Sequence, residues 1–359
     1  MKAKYLFLII STTFSFTLYA QINRPQEPKA PFKYTAENVK FKNNFTDSIT
    51  LAGTLTYPKE GTNLPAVILI SGSGPQDRNS EIMNHKPFLV IADYLTKNGI
   101  VVLRLDDRGT GESEGNYNET GLNGFVNDTK SALEFLKSRK EVNQTKIGLI
   151  GHSMGGVIAP IVASENPDIS FIVLLAGSGI RGDQLMLLQK EKIERKMGVP
   201  ELGIIQGQNN MKGAYDIILK SDNNKAQLQA ELKEYFTSKF GEMLAENQIQ
   251  SISEQLSFPW LTDLIKFDPQ TSLSKTNCPV LALNGANDLQ VPAKENLENI
   301  ERILKESGNK DVEVIEFENL NHLFQESETG LPNEYATIEQ TFSPKVLETM
   351  TRWIKKQTE

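Results

Sequence analysis

The sequence predicts an α/β fold, a mostly parallel β-sheet with helices packed on both faces. Three observations lead there. Short apolar runs such as Ala66–Ile70, Ile100–Leu105, Ile147–Ile150 and Phe171–Leu175 alternate with longer helical patterns along most of the chain. Apart from Arg104 the runs are continuously apolar rather than alternating, the mark of strands covered on both faces. And of 359 residues 39 % are hydrophobic and 23 % charged, the balance of a core-burying chain rather than a disordered, collagenous or multi-span membrane one. The 38 Lys+Arg against 45 Asp+Glu give a net charge of −7, so a nucleic acid is not an expected partner. Cys278 is the one cysteine and cannot form an internal disulfide. Three histidines supply little for a metal cage, and no cofactor or metal is expected.

The elements follow in chain order. Lys2 and Lys4 precede the apolar run Leu6–Ile10, and the stretch closes on Leu18-Tyr19-Ala20 before polar Gln21. A basic start, an apolar centre shorter than the ~20 residues of a membrane span, and a small residue before a polar one read as a signal peptide over 1–20. The expected mature chain is periplasmic or secreted, without a stable membrane anchor, and the mass of its N-terminus checks this. A Pro-rich leader, 21–36, contains Pro25, Pro28 and Pro31; Val39–Lys42 and Ile49–Tyr57 suit a β-hairpin. Ala66–Ile70 is a strand ended by the loop Ser71-Gly72-Ser73-Gly74-Pro75. Pro87–Lys97 is a helix, Ile100–Leu105 a strand and Asn127–Lys140 an amphipathic helix. Ile147–Ile150 and Phe171–Leu175 are strands flanking a helix of small residues from Met154 to Ser164. Val280–Leu283, Val312–Phe317 and the helix Pro344–Lys356 complete the pattern.

One stretch breaks the alternation. From Arg181 to Pro269 there is no convincing strand, but helical patterns over Gln184–Met197, Ala226–Phe240 and Glu242–Leu256. So long a structureless loop is improbable in a compact domain. The expectation is a helical cap, 181–269, inserted into a core made of 37–180 and 270–359.

Chemistry concentrates in Gly151-His152-Ser153-Met154-Gly155, between a strand and a helix. A serine on such a turn stands above the sheet edge, provided small residues flank it. Serine is a weak nucleophile until a base takes its proton, and the base needs an acid to orient it. Asp288 lies just past the strand ending in Leu283, and His322 in the loop after Val312–Phe317. In a parallel sheet these loops emerge at one edge, so the three side chains can converge. His152 is expected to pack rather than to act as base, and His85 to lie at the surface or behind the site. Gly72-Ser73-Gly74 lacks the third glycine of a dinucleotide loop, since position 77 is Asp. The Asn-x-Ser/Thr matches at Asn44, Asn118, Asn127 and Asn143 are given no role.

With these residues in view the chain resembles the α/β-hydrolase superfamily from about Ile49 to Trp353. It is similar in particular to secreted bacterial esterases and serine aminopeptidase-like hydrolases. The elbow carries this together with Ser71–Arg78, Asp106–Ser113 and Asn284–Pro292. The resemblance implies an eight-stranded, mostly parallel sheet with a helical cap. It implies Ser153 as nucleophile, His322 as base and Asp288 as its partner. It also implies an oxyanion hole from the backbone N–H groups of Met154 and Ser73. Ser71 stands where many relatives carry His.

The expected activity is hydrolysis of a carboxylic ester or related acyl bond through an acyl-enzyme, on a small-molecule ester or short peptide. A serine aminopeptidase, proline iminopeptidase-like, is the alternative. A non-catalytic binding protein on a hydrolase scaffold is a third, against which the complete Ser-His-Asp set argues. An exopeptidase needs a fixed anion for the α-ammonium, for which the cap offers Glu191, Glu194 and Glu201 but no evident paired spacing. The lean is towards short-chain esters.

Overall fold

The computed structural model describes residues 23–45, 48–222 and 224–359; the predicted signal peptide, 1–20, lies outside the described residues. Eight strands form one sheet: β1 (Tyr34–Lys42), β2 (Thr50–Pro58), β3 (Leu64–Ile70), β4 (Val101–Leu105), β5 (Val142–His152), β6 (Ile169–Leu175), β7 (Val280–Gly285) and β8 (Val312–Phe317). Their spatial order is β1-β2-β4-β3-β5-β6-β7-β8. Strand β2 runs antiparallel to β1 and β4, while the run from β4 through β8 is parallel. The mostly parallel eight-stranded sheet is the predicted one.

Strand β3 shows why the central strands read as solid apolar runs. Ala66, Ile68 and Ile70 face one core, with Leu133 and Leu136 of α2 (Leu122–Lys137), Val157 and Ile158 of α3 (Gly155–Glu165) and Ile300 of α10 (Ala293–Glu306). Val67 and Leu69 face the other, with Ile91 and Leu95 of α1 (Pro87–Lys97) and Met350 and Trp353 of α11 (Pro344–Thr358). Both faces are dry, so neither tolerates polar alternation.

Between β6 and β7 the chain runs through α4 (Gly182–Lys196), α5 (Glu201–Lys220), α6 (Lys225–Phe240), α7 (Glu246–Leu256), α8 (Pro259–Lys266) and the single turn α9 (Gln270–Leu273). These helices have a core of their own: Met211, Tyr215 and Ile218 of α5, Leu228, Leu232 and Phe236 of α6, Ile249 and Ile252 of α7, and Ile265 of α8. Among the described residues no helix is long and apolar enough to cross a membrane.

The N-terminal segment departs from the expected leader. Strand β1 begins at Tyr34, which is buried, so the boundary expected at residue 36 falls too late. Alternation over Tyr34–Lys42 is that of an edge strand with one wet face, and only its last four residues stood out in the sequence. The residues before it are tied down. The Arg24 guanidinium donates to the carbonyls of Met83 (3.0 Å), Ala336 (3.2 Å) and Ile338. The Gln26 amide donates to Phe342 O (2.7 Å) and accepts from Thr341 N–H (2.6 Å) and Phe342 N–H (3.0 Å).

Candidate active site

Strand β5 runs to His152 and α3 starts at Gly155, leaving Ser153 and Met154 to make the corner. Ser153 sits at φ +54°, in the left-handed region that costs a non-glycine residue strain. Its N–H donates to Leu175 O of β6 (2.9 Å), and its carbonyl accepts from Gly156 N–H (2.8 Å). The glycines around it leave no space for a side chain. A Cβ on Gly151 would lie 2.0 Å from Gly155 O, and one on Gly155 2.2 Å from Ile70 O. These contacts are backbone to backbone and cannot yield. The corner therefore holds its serine proud of the sheet, as a nucleophile requires.

Asp288 and His322 meet. His322 Nδ1 lies 2.8 Å from Asp288 Oδ2, with both side chains buried. The other carboxylate oxygen of Asp288 accepts the backbone N–H groups of Gln290 (2.8 Å) and Val291 (2.9 Å), which fixes the acid beyond β7. Asn321 Oδ1 accepts from Leu323 N–H and Gln325 N–H (3.0 Å each) and folds the turn that presents His322 beyond β8. The resulting tautomer carries a proton on Nδ1 and leaves Nε2 as acceptor. No hydrogen bond joins Ser153 to His322 among the described residues. The two are linked through His152, whose ring packs against that of His322 at 4.8 Å between centroids. Such catalytic contacts are often long without substrate.

Over the corner opens a cavity of about 590 Å³, bounded by Ser73, Ser153, Met154 and Val157 on the sheet side and by residues of α4, α5, α7 and α8 on the other. Among the described residues no cluster of His, Cys, Asp and Glu could hold a metal ion.

The family model for serine aminopeptidases of family S33 matches residues 85–328, more than half of the chain and including Ser153, Asp288 and His322. The chain belongs to that family. A curated relative, esterase EstD of Thermotoga maritima, is 28 % identical over 315 residues, 85 % of this chain and 66 % of its own length. The putative hydrolase YtaP of Bacillus subtilis is 31 % identical over 147 residues, 36 % of this chain and 48 % of its own length. The chain thus spans less than two thirds of these relatives. A solved esterase from Pyrococcus furiosus superposes with a TM-score of 0.54 at 17 % identity, covering 90 % of this chain and 93 % of that one. A hypothetical protein from Pseudomonas aeruginosa does so with 0.56 at 14 %, covering 96 % and 99 %. At those identities the two structures speak for the α/β-hydrolase fold alone.

In this S33 hydrolase the two expected oxyanion donors both border the cavity, and among the described residues neither the Met154 nor the Ser73 N–H meets an acceptor. The loop carrying Ser73 abuts the corner: a Cβ on Gly72 would lie 3.3 Å from Ser153 Cβ. Asp107, beyond β4, clamps that loop at both ends, its carboxylate accepting from Ser71 Oγ–H (2.6 Å) and Gln76 N–H (2.9 Å). Its N–H donates to Gln76 O (3.0 Å). Burial pushes the Asp107 carboxyl up to about 7. In the sequence Asp107 stands out only as part of Asp106–Ser113, one of the stretches that carry the resemblance. The signal that would have found it is sheet order, since β4 lies beside β3 and their exit loops must touch.

His152 also has a definite task in the S33 hydrolase. Its Nε2–H donates to the backbone carbonyl of His322 (2.9 Å), and burial followed by the neighbouring His322 pushes its pKa down to about 3. It stays neutral and holds the turn that carries His322. His85 does not reach the cavity. It is buried, with Nδ1 3.0 Å from Thr341 Oγ1 and Nε2 2.8 Å from Tyr335 O.

The acids weighed as amine ligands are otherwise engaged. Glu191 and Glu201 both bind Arg195, at 2.9 Å and 2.5 Å. Glu194 borders the cavity but pairs with Lys190.

Proposed function

We propose that this hydrolase cleaves carboxylic esters through an acyl-enzyme on Ser153, with His322 as general base and Asp288 as its orienting acid. The observation that carries the reading is the 2.8 Å Asp288–His322 pair, set at the same sheet edge as a serine held at φ +54° above an apolar cavity. His322 Nε2 takes the Ser153 proton as Oγ attacks the ester carbonyl. The developing oxyanion accepts from the N–H groups of Met154 and Ser73, each such donor being worth ~10²–10³ in rate. The imidazolium, stabilised by Asp288, then protonates the departing alcohol, and water repeats the sequence on the acyl-enzyme.

Ester is favoured over peptide, although the family carries an aminopeptidase's description, because Glu191, Glu194 and Glu201 are each paired with a cation of α4. An α-ammonium entering the cavity would have to displace one of these pairs. The esterase name of the Thermotoga maritima relative points the same way. A fluorophosphonate probe should label the protein at Ser153, and p-nitrophenyl esters should be hydrolysed while aminoacyl p-nitroanilides with a free amine are not. Absence of labelling would favour a binding protein. Cleavage of the anilides, lost on blocking the amine, would establish the peptidase.

A further inference from the structure

We infer that the acyl half of the substrate is an uncharged apolar chain of medium or greater length, housed in the chamber between α3 and the helices α4, α5, α7 and α8. The inference rests on Ser153 being the acylated residue, and it replaces the short-chain preference expected from the sequence.

Size speaks first. A cavity of about 590 Å³ lies within the ~300–1,000 Å³ of sites that enclose whole small molecules, far more than an acetyl group occupies. Chemistry speaks second. Met186, Met211, Ile252, Leu256, Leu261 and Leu264 come from four different helices to the same wall. The charges on that wall are paired: Lys190 and Glu194 lie one turn apart on α4, and Lys190 Nζ binds Glu194 Oε1, leaving Glu194 Oε2 buried without a partner among the described residues. Gly207 of α5 makes room for this, since a Cβ there would stand 2.6 Å from Lys190 Nζ. A charged chain end would therefore meet two opposite charges that already neutralise one another.

Orientation follows from what does not border the chamber. Met154 and Val157, on the α3 side of the nucleophile, are lining residues, whereas His322 is not. The base must reach the leaving oxygen to protonate it, so the alcohol lies on the His322 side, and the chamber is left to the acyl chain. Four methionines, Met154, Met186, Met197 and Met211, line it. Their unbranched thioethers adapt to chains of different shape, which predicts breadth among long acyl groups rather than selection of one.

Varying the acyl chain on a constant p-nitrophenyl leaving group tests this. Burying one methylene contributes ~0.8 kcal/mol, about fourfold per carbon, so kcat/KM should rise from acetyl to octanoyl by at least about 100-fold. Lengthening the alcohol of an acetate ester instead should change it little. Met211→Trp and Ile252→Trp, which fill the chamber, should each lower the octanoyl-to-acetyl ratio by more than about tenfold. Fluorophosphonate labelling and circular dichroism show whether each variant is folded; where one is not, the wild-type profile decides. A flat or falling acyl profile in a protein that is labelled at Ser153 overturns this inference alone. No labelling and no turnover of any ester overturns the Ser153 reading, and this inference with it.

Discussion

The β5–α3 corner and the helix α5 both carry glycines, and they use them differently. At the corner, added side chains on Gly151 and Gly155 would strike backbone atoms at 2.0 and 2.2 Å. On α5, a Cβ at Gly203 would meet Val199 Cγ1 at 3.3 Å, and one at Gly207 the end of a lysine. Backbone cannot step aside; the tip of a side chain can. The proposed mechanism would have the corner fix a hydroxyl and an N–H to fractions of an ångström to hold an oxyanion, and the corner is built from contacts without slack. The helical wall has only to exclude water and present apolar surface, and methionine-rich packing suffices.

Changes of function should divide along the same line. Ser153→Ala and His322→Ala should each lower ester kcat by roughly 10⁶, with the double variant little worse, since the residues act as one unit. Asp288→Asn should cost roughly 10⁴, through the wrong histidine tautomer. Near-normal turnover in Ser153→Ala would remove the corner from the chemistry altogether.

Stability sharpens the contrast at the next scale. Gly155→Ala should destabilise by about 3 kcal/mol or more, as an unyielding overpacked site does. Gly203→Ala should stay within about 1 kcal/mol of the wild type, because alanine is the better helix former. Denaturant midpoints read both, and equal losses would show the helical wall to be as rigid as the corner.

A further contrast concerns acid. All three histidines lie outside α4–α9. The pKa of His152 falls from 6.5 to about 3 on folding, so between those values the unfolded chain binds the extra proton. The associated stability is complete above pH 6.5 and is lost as the pH falls towards 3. His152→Gln should make the fall of melting temperature between pH 6.5 and 4 shallower; His85, also lowered by burial, supplies the part that remains. Parallel slopes for the two proteins would refute the assignment to His152.

What the sequence disclosed follows from how each element earns its burial. Strands β3, β6 and β7 are buried on both faces, so their apolar runs were visible, and α1 was bounded correctly by Pro87 and Lys97. Strand β5 was read four residues long but spans Val142–His152, since polar Asn143–Lys146 fall where its pairing with β3 shifts register and so carry no apolar run. Helices α5 and α8 escaped notice: three glycines interrupt the pattern of α5, and α8 is only eight residues long. Of the apolar residues of 181–269, Leu185, Met186, Phe240, Trp260 and Leu261 border the chamber, while Phe236 is spent in the core of the helices themselves. Met211 and Tyr215, on the unread helix, could not have been named. At the site, the order Ser153, Asp288, His322 was legible, because exit loops of parallel strands share an edge. The Asp107 clamp and the His152 bond were not, since both depend on which loops lie side by side.

The hydrogen bonds from Arg24 and Gln26 to the segment 336–342 acquire a meaning when the chain is considered in time. A ribosome makes the partners in this segment 312 to 316 residues after Arg24 and Gln26, which wait through the synthesis of that stretch to find them. At ~5–20 residues per second that wait is tens of seconds. The segment that finally joins them also holds Thr341, the partner of His85, close in sequence to the turn that carries His322. A chain halted after Ser153, or even after Asp288, therefore has neither His322 nor the partners of Arg24 and Gln26 in the segment 336–342.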